Sequence, residues 1–171
     1  MAIRDIVKYG DPRLVARNAP IEDFDDPSLL SLIADLKQTC WAAPGLGLAA
    51  PQIGVNRHIA IVDLSVGKDP SQVIVLLNPV IVDTHGTVRD EEGCLSLPDF
   101  VEVVERPERV SVEAFDEHGN KRVVEGRDLL ARALCHEVDH LEQRVFVDRL
   151  SSLKKGLILR KVWKRRKLGA W

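Results

Sequence analysis

The chain is poor in cysteine, in aromatics and in long apolar runs. Its three cysteines, Cys40, Cys94 and Cys135, are too few and too scattered for a disulfide scaffold, so each is read singly, as a metal ligand or as a small buried hydrophobe. Aromatic residues make up only 5% of the sequence, which leaves the body without a stacking platform for nucleic acid. No apolar run approaches the roughly 18 residues of a membrane span, so no membrane association is expected. The opening residues, MAIRDIVKYGDPRL, carry neither the apolar stretch of a secretory signal nor the Arg- and Ser-rich character of a transit peptide; the expectation is a cytoplasmic protein. Internal repeats and low-complexity linkers are also lacking. From Ser151 to Trp171 there is no acidic residue, against eight basic ones, while the first 150 residues hold 16 basic and 26 acidic side chains. An acidic body with a basic tail places any contact with a polyanion on the tail.

What remains is an ordinary globular composition, 45% apolar and 29% charged over 171 residues, enough for one core. Asp26-Pro27 opens a helical segment in which Leu29, Ile33 and Leu36 recur at helical spacing, ending before Pro44-Gly45. Gly45 to Gln52 reads as a small-residue loop unable to carry a large core. Residues 58–64, 73–78 and 101–104 are rich in β-branched side chains and read as strands; 109–115 and 122–125 flank Asp116–Asn120 as a hairpin. From Asp128 to Asp148 there is neither Gly nor Pro, and Leu130, Leu134, Val138 and Leu141 mark one buried helical face with Asp128 as its N-cap. Ser151 to Lys167 reads as a last helix. The expectation is an α+β fold, mostly antiparallel sheets around a central metal-binding helix, with residues 1–150 carrying the chemistry and 151–171 a basic helix of the same domain.

That central helix contains His136-Glu137-Val138-Asp139-His140. Side chains four apart sit one turn apart on the same face, so two imidazoles can grip one ion while the Glu stands beside it without being a ligand. Zinc peptidases with this helix take their third ligand downstream, but position 146 is Phe and only Glu142 and Asp148 follow as acids. The third ligand must come from upstream, and Cys94, after Gly93 between β-like segments, is the best candidate. Cys135 points away round the helix and reads as core, as does Cys40.

Three segments, GLGLAAPQIG at 45–54, EGCLSLP at 92–98 and HEVDHL at 136–141, together resemble the peptide deformylases, in particular the bacterial type with a helical tail. The likeness runs from KYGDPRL near residue 8 to VFVDRL at 145–150. Departures fall at Cys135, where many members have Gln, and at Gln143 and Asp99, where Gly is frequent. None is a ligand position. The resemblance implies removal of the formyl group from N-terminal formyl-methionine of nascent chains. It implies Cys94, His136 and His140 around one divalent metal, Glu137 as general base, and Gln52 with the backbone N–H of Leu95 as oxyanion donors. Gly47 and Leu46 would border an extended peptide, and Leu129 either walls the methionine pocket or belongs to the core. Arg106 and Asp139 would form a supporting ion pair. A thiolate with two imidazoles suits Fe(II), Ni(II), Co(II) or Zn(II), and the family implies Fe(II) in cells.

Two rival functions are weaker. A metallopeptidase would need the missing downstream ligand, and a nucleic-acid-binding module would need a net positive body. The tail supports two readings: a solvated helix packed through Leu153, Leu157, Ile158 and Val162 onto the acidic body, or a docking element for the ribosome. A monomer is expected.

Overall fold

The computed structural model describes residues 2–171. Strand β2 (Ile59–Val62) is apolar at every position because it is covered on both sides. Its Ile59 and Ile61 pack with Leu29, Ile33 and Leu36 of helix α1 (Pro27–Ala42), whereas Val62 packs with Ala131, Leu134 and Val138 of helix α2 (Asp128–Leu141). Since side chains alternate across a strand, one four-residue segment meets two helices. The fold is α+β. Strands β1 (Gly47–Ala49), β2, β3 (Ile74–His85), β6 (Arg109–Phe115) and β7 (Lys121–Arg127) form one antiparallel sheet in the order β1-β2-β3-β6-β7. A separate antiparallel pair, β4 (Val88–Cys94) and β5 (Leu97–Arg106), folds over the other side of α2. Helix α2 sits so close to β7 that a Cβ on Gly126 would lie 2.7 Å from Leu134 Cδ1.

Helix α1 begins as expected, with the Asp26 carboxylate accepting from Ser28 N at 2.8 Å and Pro27 supplying the first helical position. The start of α2 differs from expectation. Its cap position is Arg127, without a side-chain cap, and Asp128 lies inside the element at φ 50°. The Asp128 N–H is taken by Glu108 O at 2.9 Å, so the chain swings from β7 straight into the helix. Gln143 is left-handed at φ 63°, just past the helix end, where Gly is the usual solution.

Two further expectations are corrected. The stretch 45–52 does carry core: Leu48, Ala49 and Ala50 are fully buried, because β1 pairs with β2 (Gly47 opposite Val62) and its small side chains let both helices approach. In helix α3 (Ser152–Lys167), Ile158 and Val162 are buried, whereas Leu153 and Leu157 are exposed. The two buried residues contribute on the order of 1.5–3 kcal/mol each to docking α3. Ion pairs Lys154–Glu102 (2.6 Å), Lys155–Asp148 (2.6 Å) and Arg165–Asp99 (2.9 Å) add the attraction between basic helix and acidic body. Among the described residues no helix is long and apolar enough to cross a membrane.

Candidate metal centre

Helix α2 presents His136 and His140 one turn apart, with their Nε2 atoms 3.2 Å from each other. Strand β4 ends at Cys94, where the pairing with β5 slips by a register shift and turns the Sγ inward, 3.2 Å from His140 Nε2. The three donor atoms lie within 4.8 Å of one another. A tetrahedral ion with bonds of roughly 2.0–2.3 Å would have donors about 3.3–3.5 Å apart, so the two 3.2 Å separations fit one ion. The donor chemistry fits as well. Burial would raise the Cys94 thiol, but His140 and His136 outweigh it and bring the pKa down to about 5, so the sulfur is ready as a thiolate. Cys40 and Cys135, by contrast, are pushed up by burial to about 12 and about 11, and both sit in the core as expected.

His136 is oriented from behind. Glu92, buried, takes the His136 Nδ1 proton on its Oε1 at 2.7 Å, which leaves the Nε2 lone pair facing Cys94 and His140. Arg106 holds Glu92 through Nε (3.0 Å) and Nη2 (2.6 Å), and Arg132 Nη1 adds a third bond at 2.9 Å. Despite its burial, His136 and Arg106 keep the Glu92 carboxyl well below the usual range. Arg106 also donates to Asp139 at 2.6 Å, which is the ion pair expected from the sequence. Arg144 and Arg149 complete the Asp139 carboxylate from the outside. Asn18, buried, donates to the carbonyls of His140 and Leu141 and ties down the end of the helix.

Glu137 is buried beside the two imidazoles. Burial raises its pKa to about 7, against the lowering pull of His136 and His140, and its Oε2 is without a partner. Gln52 lies opposite, on the turn Ala50–Ile53. Its Oε1 accepts from Ala49 N at 2.9 Å, and its Nε2 faces Ser96 Oγ at 3.3 Å and Cys94 Sγ at 3.6 Å. A strap formed by the N-terminal segment fixes both sides, with Val7 N donating to Gln52 O (2.8 Å) and Tyr9 N to Ser96 O (2.7 Å). A cavity of about 400 Å³ opens from these groups and is lined by Leu46, Gly47, Leu95, Asp99, Phe100 and Leu129, among others. Eight of the nine sequence-derived site residues line this cavity, and the ninth, His140, joins them through its Nε2, 3.2 Å from both Cys94 Sγ and His136 Nε2. Sequence reasoning missed Glu92, Arg132, Ser96 and Asn18. Glu92 and Ser96 flank Cys94 within one motif, which was the available signal.

Such a centre can hold a metal ion with three protein ligands and place a proton acceptor and an amide donor beside it. Comparison with known proteins agrees. A family model described as polypeptide deformylase matches residues 3–156. The peptide deformylase of Acidobacterium capsulatum is 43% identical over 171 residues, covering the whole of both chains. The crystal structure of a peptide deformylase from Legionella pneumophila superposes with a TM-score of 0.90 at 44% identity, covering 99% of this chain and 98% of that one. The Ehrlichia chaffeensis peptide deformylase in complex with actinonin gives 0.86 at 35% identity, covering 96% and 98%.

Proposed function

The chain belongs to the polypeptide deformylase family, and from that premise we propose how its own residues divide the work. The protein is a metal-dependent hydrolase that removes the formyl group from the N-terminal formyl-methionine of newly made polypeptides, releasing formate. Cys94, His136 and His140 hold its ion, which when bound supplies a Lewis acid and an activated water. The observation that carries this assignment is the grouping of their three donor atoms within 4.8 Å at the inner end of the cavity. Glu137 takes up a proton at the unpartnered Oε2 and returns it to the departing amine; its pKa of about 7 suits both halves of that task. Gln52 Nε2 and the backbone N–H of Leu95 donate to the formyl oxygen as negative charge develops on it.

Gly47, at the free edge of β1, and the preceding Leu46, whose carbonyl is held by Asp63 N at 2.8 Å, border the place where an extended peptide adds as a further strand. Leu129, 50% exposed and facing the cavity, serves as a wall of the methionine pocket rather than as core. The ion in cells is Fe(II), which a thiolate and two imidazoles accommodate and which would make the centre oxidation-sensitive. Residues 1–150 carry the chemistry, and 151–171 add a basic helix to the same domain. The enzyme works as a cytoplasmic monomer, and α3 docks it on the ribosome, for which the exposed Lys161, Lys164, Arg166 and Lys167 supply the charge.

Anaerobic purification with metal analysis, coupled to formate release, tests the core of this reading. About one Fe per chain and formate from formyl-Met-Ala are expected. Cleavage of an N-blocked internal peptide without formate release would overturn it in favour of a peptidase.

A further inference from the structure

Two residues of the C-terminal segment contact residues that line the cavity. Asp99, on its rim, is left-handed at φ 67°. Its Oδ2 accepts from Arg165 Nη1 at 2.9 Å. The same guanidinium lies over the ring of the neighbouring Phe100, with Cζ 5.1 Å from the ring centroid. Trp171 meets that ring edge-on, centroids 6.0 Å apart and planes at 67°, and is itself anchored by its Nε1 donating to Tyr9 O at 3.0 Å. Phe100 also lines the cavity, so the side chains from the C-terminal segment grip one of its walls from outside.

We propose that Arg165 and Trp171 are positioning residues for the formyl-peptide: by holding Asp99 and Phe100 they fix one wall of the cleft and set substrate affinity. The proposal rests on reading this cavity as the formyl-peptide site. The two histidine ligands and the wall stand on different elements, although Cys94 ends the strand that pairs with β5, which carries Asp99 and Phe100. His136, Glu137 and His140 stand on α2, with Glu92 and Arg106 behind them, whereas Asp99 and Phe100 are braced by Arg165 of α3 and by Trp171 beyond it. Loosening the brace should therefore act on binding and spare the chemical step. It would also let events on the basic helix be felt at the cleft, since Arg165 belongs to both.

The test uses the full-length, metal-loaded enzyme and formate release from formyl-Met-Ala-Ser. Arg165→Ala and Trp171→Ala are each expected to raise KM roughly two- to fivefold, the range for one exposed ion pair with a cation–π or ring contact, with kcat within about twofold of wild type. Arg165→Lys, which keeps a cation for Asp99, and Trp171→Phe, which keeps an aromatic edge for Phe100, should recover most of the lost affinity. An unchanged KM in Arg165→Ala overturns the proposal. So does a fall in kcat at unchanged KM with lowered metal content, because that is what a merely structural brace would give. If Trp171→Ala does not fold, the Arg165 pair, at a partly exposed position, decides. Wild-type enzyme that releases no formate would sink the reading of the cavity itself; active wild type with unmoved variants sinks this proposal alone.

Discussion

A Cβ placed on Gly47 would lie 2.5 Å from Glu137 Oε1 and 2.9 Å from its Cγ and Cδ. The glycine is there for close approach and not for backbone freedom, since the pairing of Gly47 with Val62 is ordinary antiparallel strand. Gly47→Ala should therefore fold and bind metal but push the Glu137 carboxylate aside. Displacing a reacting group by about 1 Å can cost on the order of 10²-fold, and turnover of Gly47→Ala should fall by 10- to 100-fold. Metal analysis and formate release on the same preparation check this; a metal-replete Gly47→Ala enzyme with normal turnover would show that the contact does not matter.

Glu137→Gln separates base from ligand. The amide keeps the size and the burial but cannot accept a proton, and the three donor atoms of the metal site are untouched. Metal stoichiometry should stay the same while the rate drops by roughly 10² to 10⁴. Loss of the metal in this variant would instead make Glu137 a ligand.

Glu92 has two duties, and removing it should expose both. Its Oε1 orients His136, and its carboxylate is the common counterion of Arg106 and Arg132. Glu92→Ala leaves buried Arg132 without its carboxylate and Arg106 with Asp139 alone, at a cost of about 3–5 kcal/mol in unfolding free energy. Glu92→Gln removes the same charge but keeps the shape and a hydrogen-bonding oxygen, so it should lose less stability than Glu92→Ala while weakening metal affinity by roughly 10- to 100-fold. Urea unfolding and metal titration measure the two effects separately. Equal stability of Glu92→Ala and wild type would contradict the network as described.

The helix with the two candidate histidine ligands was legible because its chemistry and its periodicity coincide: His136 and His140 at i and i+4 on one face, Leu134, Val138 and Leu141 on another. Cys94 was legible only through an incomplete ligand set. Glu92 was not, because it ends a run of three acids, Asp90 to Glu92, of which the first two are exposed. Local sequence gives no reason for the third to turn inward; Arg106 from β5 and Arg132 from α2 do that, and both are distant in the chain. The loop misreading at 45–52 has a similar cause. Small side chains carry a weak burial signal alone, yet between two helices they are what fits. On α3, Leu153 and Leu157 share an apolar period with Ile158, but only Ile158 and Val162 face the cluster of Val145, Phe146 and Val147, while Leu153 and Leu157 stay exposed.

Acid should unfold the protein through the Arg106 network. The Glu92 and Asp139 carboxyls are held below their unfolded values of about 4.3 and 3.9 by the surrounding cations, against burial, which opposes the charged form. A carboxylate with a depressed folded-state pKa contributes stability that is fully present above the unfolded value and is lost as pH falls below it. Unfolding free energy of the wild type should therefore drop steeply below about pH 4. Asp139→Asn should be less stable at neutral pH and show a shallower acid limb. Parallel wild-type and mutant slopes from pH 6 to 3 would mean that Asp139 does not take part.

Gln52 offers the sharpest test of the oxyanion assignment. Its carboxamide is fixed at both ends, Oε1 by Ala49 N at 2.9 Å and Nε2 by Ser96 Oγ at 3.3 Å, with one Nε2 hydrogen left to point toward the metal donors. A donor so held is in place before the charge develops, and reorganisation costs nothing at the moment of reaction. Gln52→Leu keeps the volume and removes the donor. It also leaves Ala49 N without its acceptor, so some loss of stability, about 1–3 kcal/mol, should accompany the kinetic effect. Gln52→Glu preserves the acceptor for Ala49 N but replaces the amide donor with a second acid near Glu137. If Gln52 acts on the formyl oxygen, both variants should lose on the order of 10²-fold in kcat with little change in KM, although only Gln52→Leu loses the Ala49 bond. If the residue only supports the turn, Gln52→Leu alone should be impaired, and formate-release kinetics on the two metal-replete variants tell these outcomes apart.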